Sequence, residues 1–107
     1  MLVLVPQYLN MILPCLSRNL VDEDVDVRDV VIPTLNELLK FCVGNDIPIK
    51  PFLPLHIAYI TSGLNSLDSY VRRDGVRAVE IVAKHFPLLL KHYVSTLSPA
   101  CLCWNTC

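Results

Sequence analysis

At 107 residues the chain is one small domain or a piece of something longer. Its net charge of −1 excludes a protein that holds nucleic acid mainly by bulk attraction. The apolar share of 53% and mean hydropathy of +0.48, against only 18% charged residues, exceed what a lone small core needs, so some apolar surface is expected to meet further repeats or a partner.

The chain opens with an uncharged run from Met1 to Ser17, and a second runs from Pro51 to Leu67. Pro6, Gln7, Asn10 and Pro14 interrupt the first, and His56, Thr61, Ser62 and Asn65 the second. A membrane-spanning helix wants about 20 mostly apolar residues, so neither is expected to cross a bilayer. No basic residue directly follows Met1, so no secretory signal is expected and the five cysteines are expected as thiols.

From Pro6 to Cys42 the spacing predicts a helical hairpin. Leu9, Ile12, Leu13, Leu16 and Leu20 recur at helical steps and form one apolar stripe. The acidic run Asp22 to Asp26 makes the turn, and Val27, Val31, Leu35, Leu38, Leu39 and Cys42 form the second stripe. Pro33 falls inside that second helix, where proline removes a hydrogen bond and bends the axis. Cys15 and Cys42 are expected on apolar faces, as buried thiols. Val43 to Lys50 is a connector, in which Gly44 can take the left-handed conformation that ends a helix and Asn45, Asp46 and Pro48 keep it from restarting.

A second hairpin spans about 51–86. Pro51 suits a first helical turn. Phe52, Leu55, Tyr59, Ile60, Gly63, Leu64 and Leu67 are the expected stripe of its first helix, and Val71, Val76, Val79, Val82, Ala83 and Phe86 that of its second. Asp68 or Ser69 caps the second helix, and Pro87 closes it. Residues 87–97 predict a third helix without a hairpin partner, so its Leu90 and Val94 are expected on an edge where the chain self-associates or meets another protein. Residues 98–107 read as an irregular tail. Its Cys101, Cys103 and Cys107 lack the paired spacing of a zinc motif, and no metal is expected.

Shifting the first hairpin by 44 positions lays Leu9 on Leu53, Leu16 on Ile60, Leu20 on Leu64, Asp24 on Asp68, Val27 on Val71 and Arg28 on Arg72. A helix pair recurring every 40 to 47 residues or so marks HEAT and armadillo arrays, so the expected fold is an all-α solenoid of antiparallel helix pairs. In each repeat the Asp caps, the Val starts the buried stripe and the Arg reaches back to an Asp of the neighbouring turn. Exposed pairs of that kind contribute about 0–1 kcal/mol, which suits markers of register.

Catalytic constellations are missing from the sequence. His56, His85 and His92 form no ligand spacing, Ser62 sits inside an apolar helix, and the three glycines make no phosphate loop. Gly63 and Gly75 are expected to let paired helices approach closely. Arg72, Arg73 and Arg77 are the one cluster suited to binding, with phosphates or carboxylates as ligands. No aromatic residues interleave to stack on bases, so a solvated helix face is the competing account. No enzyme, cofactor or small-molecule substrate is expected.

The segment from Pro51 to Pro87 resembles the pre-rRNA-processing Ipi / testis-expressed protein ten family. The likeness runs through Pro51-Phe52, Ala58-Tyr59, Ser62-Gly63-Leu64, Leu67, Val71-Arg72, Asp74, Val76, Val79-Glu80 and Phe86-Pro87. Asn65-Ser66 departs from that family's Thr-His pair. The resemblance implies a non-catalytic HEAT subunit of a Rix-type complex in the nucleus, nucleolus and nucleoplasm. Its implied partners are the other subunits and pre-ribosomal particles, with at most weak or indirect RNA contact, and its implied role is spacer removal from pre-rRNA. A generic HEAT scaffold, or an RNA-contacting module built on the arginine cluster, are the alternatives.

Overall fold

The computed structural model describes residues 5–94 and residue 97. Five α-helices follow one another: α1 Val5–Asn19, α2 Val25–Gly44, α3 Leu53–Leu64, α4 Ser69–His85 and the short α5 Pro87–Leu90. A 3-10 turn, Lys50–Phe52, leads into α3, and another, Lys91–Tyr93, follows α5. No strand occurs among the described residues. α1 and α2 form one hairpin and α3 and α4 the next. The hairpins stack with α3 against α1 and α4 against α2, so the fold is an all-α solenoid of helix pairs.

The caps follow from the sequence. Asp24 and Asp68 stand at the N-caps of α2 and α4, each with extended backbone, and their carboxylates accept from the amides of Asp26 and Tyr70 at 2.9 and 2.8 Å. Each satisfies a donor that the helix start leaves free. α2 runs through Pro33 without a break. The carbonyl that Pro33 deprives of a donor belongs to exposed Asp29, within reach of water. The connector corrects an expectation, because no described glycine has positive φ and Asp46 takes the left-handed conformation instead, at φ 54°. Aspartate is among the few residues with a side chain that tolerate it.

The core is a single cluster running from Leu9 and Leu13 through Leu35 and Leu39 to Ile57, Ile60, Leu64 and Val82. Several stripe assignments shift. Leu55 is half-exposed, Leu67 is 100% exposed, and Ile12 and Ala83 also face solvent. Leu53, His56 and Ile57 are buried in their place. α3 is wedged between α1 and α4 and is apolar on nearly every side, so its letters alone leave the buried arc undetermined. Cys15 is exposed and only Cys42 is buried. Burial pushes the Cys42 thiol above its usual pKa, which keeps it a small hydrophobe.

Gly63 and Gly75 stand where α3 and α4 approach each other closely. A Cβ on Gly75 would lie 3.2 Å from the Leu64 amide nitrogen and 3.4 Å from the Gly63 carbonyl carbon, both backbone atoms that cannot step aside. A Cβ on Gly63 would be crowded by the Val21 Cγ1 alone, at 3.3 Å, with the Gly75 Cα and the Val71 carbonyl oxygen at an ordinary 3.9 Å. Alanine normally stabilises a helix interior over glycine by about 1 kcal/mol. Gly75→Ala should therefore reverse that sign and destabilise by about 1–3 kcal/mol through overpacking, whereas Gly63→Ala should be near neutral. Equal urea midpoints for the two variants would show that the helices are not this close.

The expected third helix begins as α5, tightens into the 3-10 turn, and is helical again at Val94 and Leu97. Leu89, Leu90 and Tyr93 fold back against the core and Leu97 is buried, while Leu88 and Val94 remain 80% and 52% exposed. Cys101, Cys103 and Cys107, and the rest of the 98–107 tail, lie outside the described residues.

Candidate functional site

The two hairpins are joined by polar groups that the apolar stripes conceal. Arg28 lies on the buried arc of α2, one step before Val31 and two before Leu35, and is 2% exposed. Its Nε donates to Asp74 Oδ2 on α4 at 2.8 Å, and its second nitrogen donates to the carbonyls of Asp22 at 2.6 Å and Glu23 at 3.2 Å. Asp74 is fully buried. Its Oδ1 also accepts from Arg77 at 3.3 Å and lies 3.5 Å from Arg73, whose guanidinium sits 5.3 Å above the Tyr70 ring. The arginine of the repeated element thus reaches forward to a helix of the next hairpin, and the pair is sealed. The expectation of an exposed pair with a neighbouring turn is corrected.

A second link lies deeper between α1 and α3. Ser17 donates to the Leu13 carbonyl at 2.7 Å, and its oxygen lies 2.6 Å from His56 Nδ1. With the hydroxyl proton committed to Leu13, the imidazole must donate through Nδ1–H. Burial drives the His56 pKa down to about 4, so the ring is neutral. A serine beside a histidine resembles a nucleophile with its base. Here Ser17 is 0% and His56 1% exposed, and no substrate can reach either. Among the described residues no buried side-chain nitrogen or oxygen lacks a partner.

The three arginines singled out from the sequence divide. Arg73 and Arg77 converge on Asp74 and keep about half of each side chain in solvent. Arg72 turns the other way, donating to the carbonyls of Ser66 at 2.8 Å and Leu67 at 3.1 Å. Leu90 and Val94 lie apart from all three, beyond the end of α4. Missed from the sequence were Arg28, Asp74, Ser17 and His56. The signal that could have found them is polar letters standing at positions of an apolar stripe, since Asp74 falls between Val71 and Ala78 just as His56 falls between Leu53 and Ile60.

Beside Arg77 a groove of about 520 Å³ runs between α2 and α4. Ile32, Pro33 and Ile81 give it an apolar floor, and Asp29, Glu80, Arg77 and Lys84 alternate in sign along its rims. At one end His85 and Asn36 bridge the helices at 2.8 Å. Burial, then Lys84 and Lys40, hold the His85 pKa below its ordinary value against the pull of Glu37. No described helix is long and apolar enough to cross a membrane, and no described cluster of three or more His, Cys, Asp or Glu is placed to hold a metal.

The family described as GCN1-like, C-terminal HEAT repeats, matches residues 1–103, a span that takes in both hairpins and the polar links between them. Among curated proteins and solved structures, none matches the chain. The repeat period, the stacked hairpins and that match agree, and the chain belongs to the GCN1-like family of C-terminal HEAT repeats.

Proposed function

We propose that this segment is a non-catalytic scaffold that docks partner proteins, with the groove between α2 and α4 as the seat. The groove carries the proposal: an apolar floor with rims of both signs suits a protein segment bearing mixed charges, whereas nucleic acid calls for an unbroken basic track. Reversing two of the exposed rim charges with Glu80→Lys and Lys84→Glu leaves net charge unchanged and should weaken docking without loss of helicity. A photo-cross-linker at Asn36, facing the groove, should capture a protein with the parent chain and not with the swapped variant. Capture of RNA at Asn36, or equal capture by both chains, would overturn this seat.

The resemblance of Pro51 to Pro87 to the Ipi / testis-expressed protein ten family supports a finer reading. On it the scaffold works in the nucleus and nucleolus with Rix-type subunits on large-subunit precursors. The tagged chain should then co-sediment with those precursors and stay bound at moderate salt. A chain left at the top of the gradient would remove this finer reading and leave the scaffold standing. Direct RNA contact through Arg73 and Arg77 would instead appear as a gel shift with pre-rRNA that fades steeply with salt.

A further inference from the structure

The groove between α2 and α4 has a direction, which follows from how the two helices lie. Arg28 meets Asp74 near the start of each helix and Asn36 meets His85 further along, so α2 and α4 run parallel. At the leading end stand acceptors, the exposed Asp29 carboxylate and the Asp29 carbonyl that Pro33 deprives of its helical donor. At the far end stand donors. Asn36 gives its oxygen to His85, which leaves its amide NH2 for another group, and Lys84 beside it forms no ion pair among the described residues. Along the α4 rim the signs alternate through Arg77, Glu80 and Lys84, at steps of three and four residues. At 1.5 Å per residue those steps are about 4.5 and 6 Å, the spacing of side chains along one face of another helix. An extended segment repeats a face every ~6.6 Å and would overshoot the rim by about 3 Å in two steps. It would also lay unpaired backbone amides on a floor of Ile32, Pro33 and Ile81, whereas a helix arrives with its own amides bonded.

We propose that the occupant of this groove is an amphipathic helix of a partner protein, lying antiparallel to α2 and α4 and setting Glu, Lys and Glu at positions i, i+4 and i+7 against Lys84, Glu80 and Arg77. Antiparallel packing opposes the partner's dipole to those of α2 and α4 and turns its leading Glu towards its own positive end, where a carboxylate is favoured. That Glu meets the donors at the far end, Lys84 and the Asn36 amide. Arg77 spends one nitrogen on Asp74 and keeps about half of its side chain in solvent, so it can receive the second Glu. A Glu four residues ahead of a Lys also steadies the partner helix by itself. On the facing rim a basic side chain finds two acceptors together, the Asp29 carboxylate and the carbonyl freed by Pro33. Aliphatic side chains between the charged ones cover Ile32 and Ile81.

The inference rests on the groove as the seat, and its test separates the two. The probe is a synthetic peptide of about 18 residues, long enough to hold a helix, with leucines towards the floor and the Glu, Lys, Glu rim. One twin carries Lys, Glu, Lys at the same positions, and another keeps the charges but has a central proline. In a fluorescence-anisotropy titration of the full chain the first peptide should bind about tenfold or more tighter than either twin, a difference of about 1.4 kcal/mol. The chain carrying Glu80→Lys with Lys84→Glu should lose that preference and take instead a peptide with Lys, Glu, Glu at i, i+4 and i+7. Equal binding of the proline twin would make the occupant extended, and equal binding of the inverted twin would remove the charge register. Either result overturns the helix and leaves the groove standing as a protein seat. So does a failure of every peptide to bind while a protein is still captured through Asn36. Loss of that capture removes the seat, and this inference with it.

Discussion

Asp74→Ala should be the most damaging single substitution in this chain. It leaves the Arg28 guanidinium 2% exposed with its carboxylate gone, between helices that give water little access. Breaking a buried pair in this way costs about 3–5 kcal/mol. A domain of this size holds only about 5–15 kcal/mol in all, and each kcal/mol moves its Tm by roughly 4–8 °C. The expected result is a Tm lower by about 15 °C or more in a thermal melt followed by circular dichroism. Arg28→Met combined with Asp74→Leu should recover most of the loss, because an apolar pair of similar volume avoids the cost of desolvating two ions. Arg73 and Arg77 also lose a partner in Asp74→Ala, but they are half-exposed and can rehydrate. A single mutant that melts within a degree or two of the parent would mean that the pair is open to water.

Acid should act through His56. Its pKa in the folded chain is pushed down to about 4, from 6.5 for a free imidazole, by burial. A depressed histidine pKa means that the unfolded chain binds the proton first. The contribution to stability is therefore complete above pH 6.5 and is lost as the pH falls from there towards 4. The loss across that window is on the order of 3 kcal/mol, at 1.36 kcal/mol for each pH unit separating the two values. Carboxylates protonate in the same range, so the measurement is a difference. Urea midpoints of the parent should drop towards those of His56→Leu, or below them, between pH 7 and pH 4. Profiles that stay parallel would show that the imidazole titrates equally in both states.

The fold was legible because its marks are local and repeated. Asp24 and Asp68 cap helices through atoms two residues away, and Pro87 stops one by excluding its neighbour's conformation, so no tertiary knowledge is needed. The joint between the hairpins was not legible for the same reason inverted. Arg28 and Asp74 are 46 residues apart, and each beside its nearest neighbours looks like an ordinary solvated charge. On α4 the cluster Arg72, Arg73 and Arg77 drew attention because consecutive arginines are conspicuous. Two of them turn to the aspartate between them, which entered the sequence reading only as a letter of the family likeness. The likeness of the second hairpin to the Ipi family rests on letters such as Gly63, Leu64 and Val71, whose burial within a helix pair accounts for them in any array of this kind.

Helix pairs that touch only their neighbours behave as a linear chain of units, each with a stability of its own and a coupling to the next. Here the coupling holds the polar links, Ser17 to His56, Arg28 to Asp74 and Asn36 to His85, whereas the contacts within each hairpin are mostly apolar. Substitution of the links therefore falls on cooperativity before it falls on helix content. With them intact, the two hairpins should melt in one step. Without them, one hairpin should open while the other persists, and the calorimetric enthalpy should exceed the van't Hoff value, which the parent is expected to match.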